Sequence, residues 1–225
     1  MNTSFDSIVI IFSGGMDSGT LLWDLYTIAP WREIHALTFD YGQRHKREIE
    51  CAKRFIKECD NVTHKVISLD VLNDVAPSCL TRPSMEVPHG AYDGDNMRTT
   101  VVPNRNMVML SLAISYAIGI GAGNVYYGAH AGDHTIYPDC RPEFVDAMNI
   151  VSKLCDWSPV EIIAPYLNYT KGQIAELGVS IGVPYELTHT CYEGSYPPCG
   201  KCGSCVERAE AFEYAGVPDP LLRKV

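Results

Sequence analysis

The chain has 225 residues, 46% of them apolar and 20% charged, with a formal net charge of −9. That length supports one sizeable core, and the acidic balance disfavours sequence-independent binding to nucleic-acid phosphates. No stretch approaches the ~18 consecutive apolar residues of a membrane span, and the opening MNTSFDS has no basic-then-apolar secretion pattern, so a cytoplasmic protein with no membrane and no direct nucleic-acid partner is expected.

Residues 7–12, SIVIIF, form a short run rich in isoleucine that predicts a buried strand. After SGGMDSG, residues 17–28 predict a helix and 34–39, IHALTF, a second strand. In 43–59, Ile49, Ala52, Phe55, Ile56 and Cys59 fall at helical spacing on one face. Residues 62–69 predict a third strand. Residues 77–105 carry four prolines and no period, and so long an irregular stretch predicts a functional lid or loop. A nearly all-apolar helix is expected over 107–119 and a fourth strand over 124–130. A helix over 142–155 would start on Pro142 and turn Phe144, Met148, Val151 and Cys155 inward. A fifth strand follows at 160–165, then a helix over 170–182 with Thr170 as its cap and Gly182 as its stop.

Strand and helix alternate throughout. The expected fold is therefore α/β: a parallel five-stranded sheet with helices on both faces, Rossmann-like. Ligands on such sheets gather beyond the carboxyl ends of the strands, where the loops from Ser13, Asp40, about Asp70, His130 and Tyr166 begin. Residues 1–185 are expected to form the sheet domain and 186–225 a segment packed on it; the motifs below assign nucleotide binding to the first and zinc binding to the second.

The glycine pair in SGGMDS sits between a strand and a helix, where unpaired backbone N–H groups and the positive end of the helix dipole attract phosphate. Gly14 and Gly15 would let the backbone approach a ligand, and Ser13 and Ser18 add hydroxyls. The loop has no lysine of the Walker type. It has Asp17, which phosphates would repel unless a cation lay between them, and Mg²⁺ suits a carboxylate plus phosphate oxygens.

Nine cysteines are spread unevenly, four of them in CYEGSYPPCGKCGSC. The spacing C-x7-C-x2-C-x2-C suits a closed tetrahedral site made of Cys191, Cys199, Cys202 and Cys205. Zinc is expected. An iron–sulfur cluster is the competitor, but the C-x3-C-P element of ferredoxins is absent. His130 and His134, four apart in one loop, are weaker candidates for a second metal.

The SGGMDS loop resembles the signature of the PP-loop ATP pyrophosphatases. Four further strings, FDYGQRHKREI (39–49), VVPNRN (101–106), YPDCRPEFV (137–145) and THTCYEGSYPPCGKCGSCVERAEAF (188–212), narrow the resemblance to the QueC family of 7-cyano-7-deazaguanine synthases, over about residues 7–219. Two strings depart from the family pattern: His189 stands where a tryptophan is expected in many relatives, and GAHAGDHTIYPDC is less acidic than a form expected in part of the family.

The resemblance implies a fold of the adenine nucleotide alpha-hydrolase type and a ligase for small molecules: ATP, ammonia and 7-carboxy-7-deazaguanine. The acid would be adenylated and converted to an amide, which would be adenylated in turn and eliminated to a nitrile, with two ATP cleaved to AMP and pyrophosphate. A homodimer is implied as well. Asp17, Lys171, Arg105 and Arg141 would be catalytic. Phe12, Ser13, Gly14, Gly15, Met16, Ser18 and Gly19 would hold the phosphates, and Leu37, Thr38 and Phe39 would frame adenine. Tyr41, Gln43, Arg44, Asp133 and Asp139 would take the deazapurine, and His45, which follows the second strand with the first three, would help close over it. The competing readings are another ammonia-dependent adenylating synthetase, a tRNA-thiolating PP-loop enzyme for which Cys140 is the candidate persulfide carrier, and a zinc-ribbon interaction module.

Overall fold

The computed structural model describes residues 7–90 and 95–222. Part of the 77–105 segment, residues 91–94, therefore lies outside the described residues. Five parallel strands form one sheet in the order β3-β2-β1-β4-β5. They are β1 (Ser7–Ile11), β2 (Glu33–Asp40), β3 (Val62–Ser68), β4 (Asn124–Tyr126) and β5 (Glu161–Ile163). The order reverses between β1 and β4, and a crevice opens at such a reversal.

The β-branched run of β1 is buried from both sides because successive side chains alternate faces. Val9 packs with Leu37, Phe39, Val125 and Ile162 in one apolar cluster. Ile8 and Ile10 pack with Ile34 and Ala36 in another. The first cluster is closed by α3 (Asp70–Val75), α4 (Arg105–Ile120) and α5 (Pro142–Ser152). The second is closed by α1 (Met16–Ile28), α2 (Arg47–Phe55), α6 (Lys171–Ser180) and α7 (Gly203–Tyr214).

Several local expectations hold. Thr170 Oγ1 accepts from Gln173 N at 3.2 Å while Gln173 Oε1 accepts from Thr170 N at 2.8 Å, a reciprocal cap that starts α6. Gly182 has φ +75° just past its end.

Others are corrected. α5 buries Val145, Met148 and Ser152, while Val151 is 56% exposed and Cys155 is exposed. Its inward face is thus turned from the predicted one. α4 buries one side only, with Met107 42% exposed on the other. β4 stops at Tyr126, and the chain expected to continue it runs on as the wall of the crevice. α2 starts only at Arg47, which leaves Gln43–His45 in a loop. Neither α3 nor α7 was expected. The 77–90 stretch reaches the cysteine cluster, where Gly90 N donates to Lys201 O at 2.9 Å.

Candidate active site

The crevice at the switch point is an open cleft whose empty space, solvent at its mouth included, is about 1080 Å³. Its floor is the loop from β1 to α1. Gly15 precedes α1 without a side-chain cap, so the first-turn N–H groups remain open to a ligand. Ser13 Oγ lies 2.9 Å from Ser18 Oγ and accepts from Gly15 N at 3.1 Å, which ties the loop to the helix start. Gly14 has φ +87°, and a Cβ there would enter the Glu48 carbonyl oxygen and stand 2.8 Å from Ala52 N. Its lack of a side chain serves the contact with α2, not the approach to a ligand expected from the sequence.

Beside the loop lies a dense set of charges. Lys171 Nζ, at the start of α6, is 3.3 Å from Asp17 Oδ2 and 2.7 Å from Glu207 Oε2. His130 Nε2 is 3.7 Å from Asp17 Oδ2 and 3.5 Å from Asp133 Oδ2. Burial works to raise the Asp17 carboxyl, but Lys171 and His130 together hold it below its ordinary value. For Asp133 burial wins over His130 and Lys171 and pushes the carboxyl up. Burial opposes the charge on Lys171, yet Asp17, Glu207 and Asp133 raise it, so it stays an ammonium. Asp17 Oδ1 is buried with no partner, a carboxylate oxygen that fits a divalent cation facing phosphate.

The far end of the cleft is aromatic and cationic. Arg105 Nη1 donates to Tyr41 Oη at 3.1 Å, and its guanidinium lies 5.6 Å from the Tyr41 ring centroid and 6.0 Å from that of Tyr137. Burial pushes the Tyr41 phenol up to about 12, so it remains a neutral donor. Burial and the Asp133 and Asp139 charges push the Cys140 thiol well up, which leaves it protonated and unsuited to carrying a persulfide.

Of the residues named from the sequence, Phe12, Ser13, Gly15, Asp17 and Ser18 line the cleft. So do Phe39, Tyr41, Arg105, Asp133 and Lys171. The others do not. Leu37 and Met16 are fully buried in the two apolar clusters. Gly19 packs under Thr188 and Phe55. Thr38 Oγ1 donates to Phe12 O at 2.6 Å and so props the loop from below.

Gln43 Oε1 accepts from Tyr41 N at 2.9 Å and holds the chain after β2. Arg44 points away, donating to Met85 O at 2.6 Å. Arg141 is exposed and donates to His134 O at 2.7 Å. Asp139 Oδ2 accepts from Asn106 N at 3.1 Å, so its carboxylate caps α4 beside Arg105. His189, noted above as a departure from the family pattern, also lines the cleft, as do Glu48, Tyr127 and Tyr192, which the sequence did not single out. Glu207, paired with Lys171, comes from α7. Their only sequence signal is that a lysine buried among phosphate-loop residues needs an acid, and no spacing says which one.

The four cysteines of the tail meet with their sulfurs within 4.8 Å of one another. Backbone N–H groups of Lys201 and Cys202 donate to Cys199 Sγ at 3.4 and 3.3 Å, and Cys199 N donates to Cys191 Sγ at 3.4 Å. Such donors favour thiolates. Hydrogen bonds to Cys191 and Cys202, with burial, push the Cys205 thiol up, as expected where sulfurs this close share too few cations. A metal ion at their centre fits both the geometry and the charge. Cys205 lies inside α7, two residues before Glu207, so the cluster and the cleft share a helix.

The switch-point cleft, the capless phosphate loop and the acid–lysine cluster define a PP-loop α/β protein built to use ATP. The particular family follows from comparison with known proteins. Residues 7–216 match the family described as "Queuosine biosynthesis protein QueC", and the chain belongs to it. A 7-cyano-7-deazaguanine synthase from Methanoregula boonei is 56% identical over 213 residues, covering 95% of this chain and 97% of that protein. Among solved structures, NMN synthetase from Francisella tularensis is similar with a TM-score of 0.54 at 17% identity, over 97% of this chain and 80% of that one. A 4-thiouridine synthetase in complex with RNA and bound ATP is similar with a TM-score of 0.55 at 17% identity, over 94% of this chain and 50% of that one. At that identity the two share the fold with this chain.

Proposed function

We propose that the chain is a carbon–nitrogen ligase that converts 7-carboxy-7-deazaguanine and ammonia to 7-cyano-7-deazaguanine, a precursor for queuosine-type modification. Two ATP would be cleaved to AMP and pyrophosphate for each nitrile, through an adenylated acid, an amide and an adenylated amide. One observation carries this reading: in a member of the QueC family, the SGGMDS loop and Arg105 line a single cleft. Such a cleft can place an oxygen nucleophile against the α-phosphorus in both rounds, so catalysis is mainly positioning and charge stabilisation.

Ser13, Gly15 and Ser18 would cradle the leaving pyrophosphate, with Lys171 supplying positive charge. Mg²⁺ held by Asp17 would neutralise phosphate charge. Phe39 would lie against adenine. Arg105, with its planar fork beside Tyr41 and Tyr137, would receive the carboxylate of the acid. Asp133 would accept from the donor edge of the deazaguanine. Gln43, Arg44, Arg141 and Asp139 would act by holding the walls.

Zinc in the four-cysteine site would order residues 186–225 against the domain formed by 1–185. Localisation in the cytoplasm is part of the proposal. Among the described residues no helix is long and apolar enough to cross a membrane. The pair of chains implied by the family resemblance would use exposed Ile150, Leu154 and Trp157 near the end of α5.

The test is direct. The protein is given ATP, Mg²⁺, ammonium and 7-carboxy-7-deazaguanine, and the products are read by mass spectrometry. The nitrile with AMP is expected. ADP in place of AMP would overturn the reading.

A further inference from the structure

In the proposed reaction a single nitrogen enters as ammonia and leaves as a nitrile, so it sheds three hydrogens as protons. Ammonia's lone pair attacks the acyl carbon of the adenylate, one proton leaves the nitrogen, and the carbon–oxygen bond to AMP breaks. The amide oxygen then attacks the α-phosphorus of the second ATP, pyrophosphate departs, and the nitrogen loses its second proton. Last, the remaining N–H electrons form the third carbon–nitrogen bond as AMP departs and the third proton leaves. Every one of these protons needs an acceptor beside the same atom.

Of the seven buried side-chain polar atoms that have no partner among the described residues, five belong to residues lining the cleft: Asp17, His45, Tyr127 and both ring nitrogens of His189. The first faces the proposed cation, and the Tyr127 phenol, pushed up by burial, is no acceptor of protons at neutral pH. His130 is committed, since its Nδ1 accepts from Gly132 N at 3.1 Å and its Nε2 faces Asp17 and Asp133. His189 has no carboxylate partner among the described ion pairs, and its backbone N–H is bound to Gly14 O at 3.0 Å, on the pyrophosphate side.

His45 differs from both. It is 3% exposed, its Nε2 stands 3.4 Å from Glu48 Oε1, and its Nδ1 has no partner. The tautomer protonated on Nε2 satisfies Glu48 and leaves a lone pair on Nδ1. Gln43 Nε2 donates to the same Glu48 oxygen at 3.5 Å, and the Tyr192 ring packs at 5.6 Å from the His45 ring, so the pair is held from two sides. Both His45 and Glu48 line the cleft.

Resting on the ligase reading above, we propose that His45 is the base that takes the protons of the incoming nitrogen at Nδ1, and that Glu48 is its positioning residue, fixing the tautomer and stabilising the imidazolium formed each time. The imidazolium gives each proton to water at the mouth of the cleft before the next arrives. The first adenylation needs no such base, because the acid is already a carboxylate.

The two kinds of step can be read separately. In His45→Ala, pyrophosphate–ATP exchange dependent on 7-carboxy-7-deazaguanine is expected to persist. Amide formation from ammonia, and nitrile formation from added amide, should both fall by about 10²–10⁴-fold, with partial rescue by free imidazole. Glu48→Gln should show the same split with a smaller loss, and it provides the test should the alanine variant fail to fold. Nitrile formation at the parent rate, or exchange lost in parallel with it, would overturn the assignment. If the unaltered protein itself gives no acid-dependent exchange, the ligase reading fails instead, and the two failures are told apart.

Discussion

Lys171 is the residue on which the phosphate end depends. It has 9% side-chain exposure and lies between Asp17 and Glu207, at 20% and 14%. Lys171→Met would leave two carboxylates without their cation, at a cost of roughly 3–5 kcal/mol, read as a lower midpoint in urea and as lost pyrophosphate–ATP exchange. The acid limb follows from Asp17. Its carboxyl is held below the ordinary 3.8 in the folded state, so its contribution is present above that value and is lost as pH falls through the lowered one. Asp17→Asn should flatten that part of the stability–pH curve. Asp17 and Lys171 were legible because each stands where a loop leaves a strand end and a helix begins. Glu207 and His189 were not, because their place at the cleft comes from the way the tail folds back, and no local pattern carries that.

Among elements, the start of α4 links architecture to substrate. Asn104 takes a left-handed backbone at φ 62°, and Asp139 Oδ2 caps Asn106 N, which sets Arg105 at the cleft. Asp139→Ala is expected to cost about 1 kcal/mol and to weaken binding of the acid more than that of ATP, whereas Asp139→Asn, which keeps a capping oxygen, should restore most of both. Separate KM values for the two substrates decide it. The sequence placed Asp139 in the site but read its carboxylate as a base receptor, because a strand-end loop shows which residues are near a ligand and not which way they face. The inward face of α5 was misjudged for a related reason. Its apolar residues, Phe144 through Val151, run around most of the helix, so period alone cannot choose Val145 over Phe144. α7 was hidden because the cysteine spacing overlaps its first turn, and the stretch reads as a metal knuckle up to Cys205.

At the scale of the molecule, the four-cysteine cluster and the cleft are expected to stand or fall together, since Cys205 and Glu207 share α7. Structural zinc sites contribute ~10–16 kcal/mol to ordering their segments. A strong chelator should therefore release one zinc per chain and abolish pyrophosphate–ATP exchange in step, and zinc content measured beside activity checks it. Intact exchange in the metal-free protein would separate the two. Sedimentation is expected to give a mass near twice the 24.9 kDa chain, and Leu154→Glu, at a side chain 80% exposed in the single chain, should shift it to the monomer. The alternation of strands and helices made the parallel sheet legible from the outset. The closing of the tail over the cleft depends on contacts between distant parts and had no such signal.

In the proposed reaction one cleft activates two oxygens in turn at the α-phosphorus of ATP. This is tested by turning over 7-carboxy-7-deazaguanine labelled with ¹⁸O at both carboxylate oxygens and weighing the nucleotide products. Two AMP per nitrile are expected, each carrying one ¹⁸O in its phosphate. Label in inorganic phosphate or water, or unlabelled AMP, would contradict it.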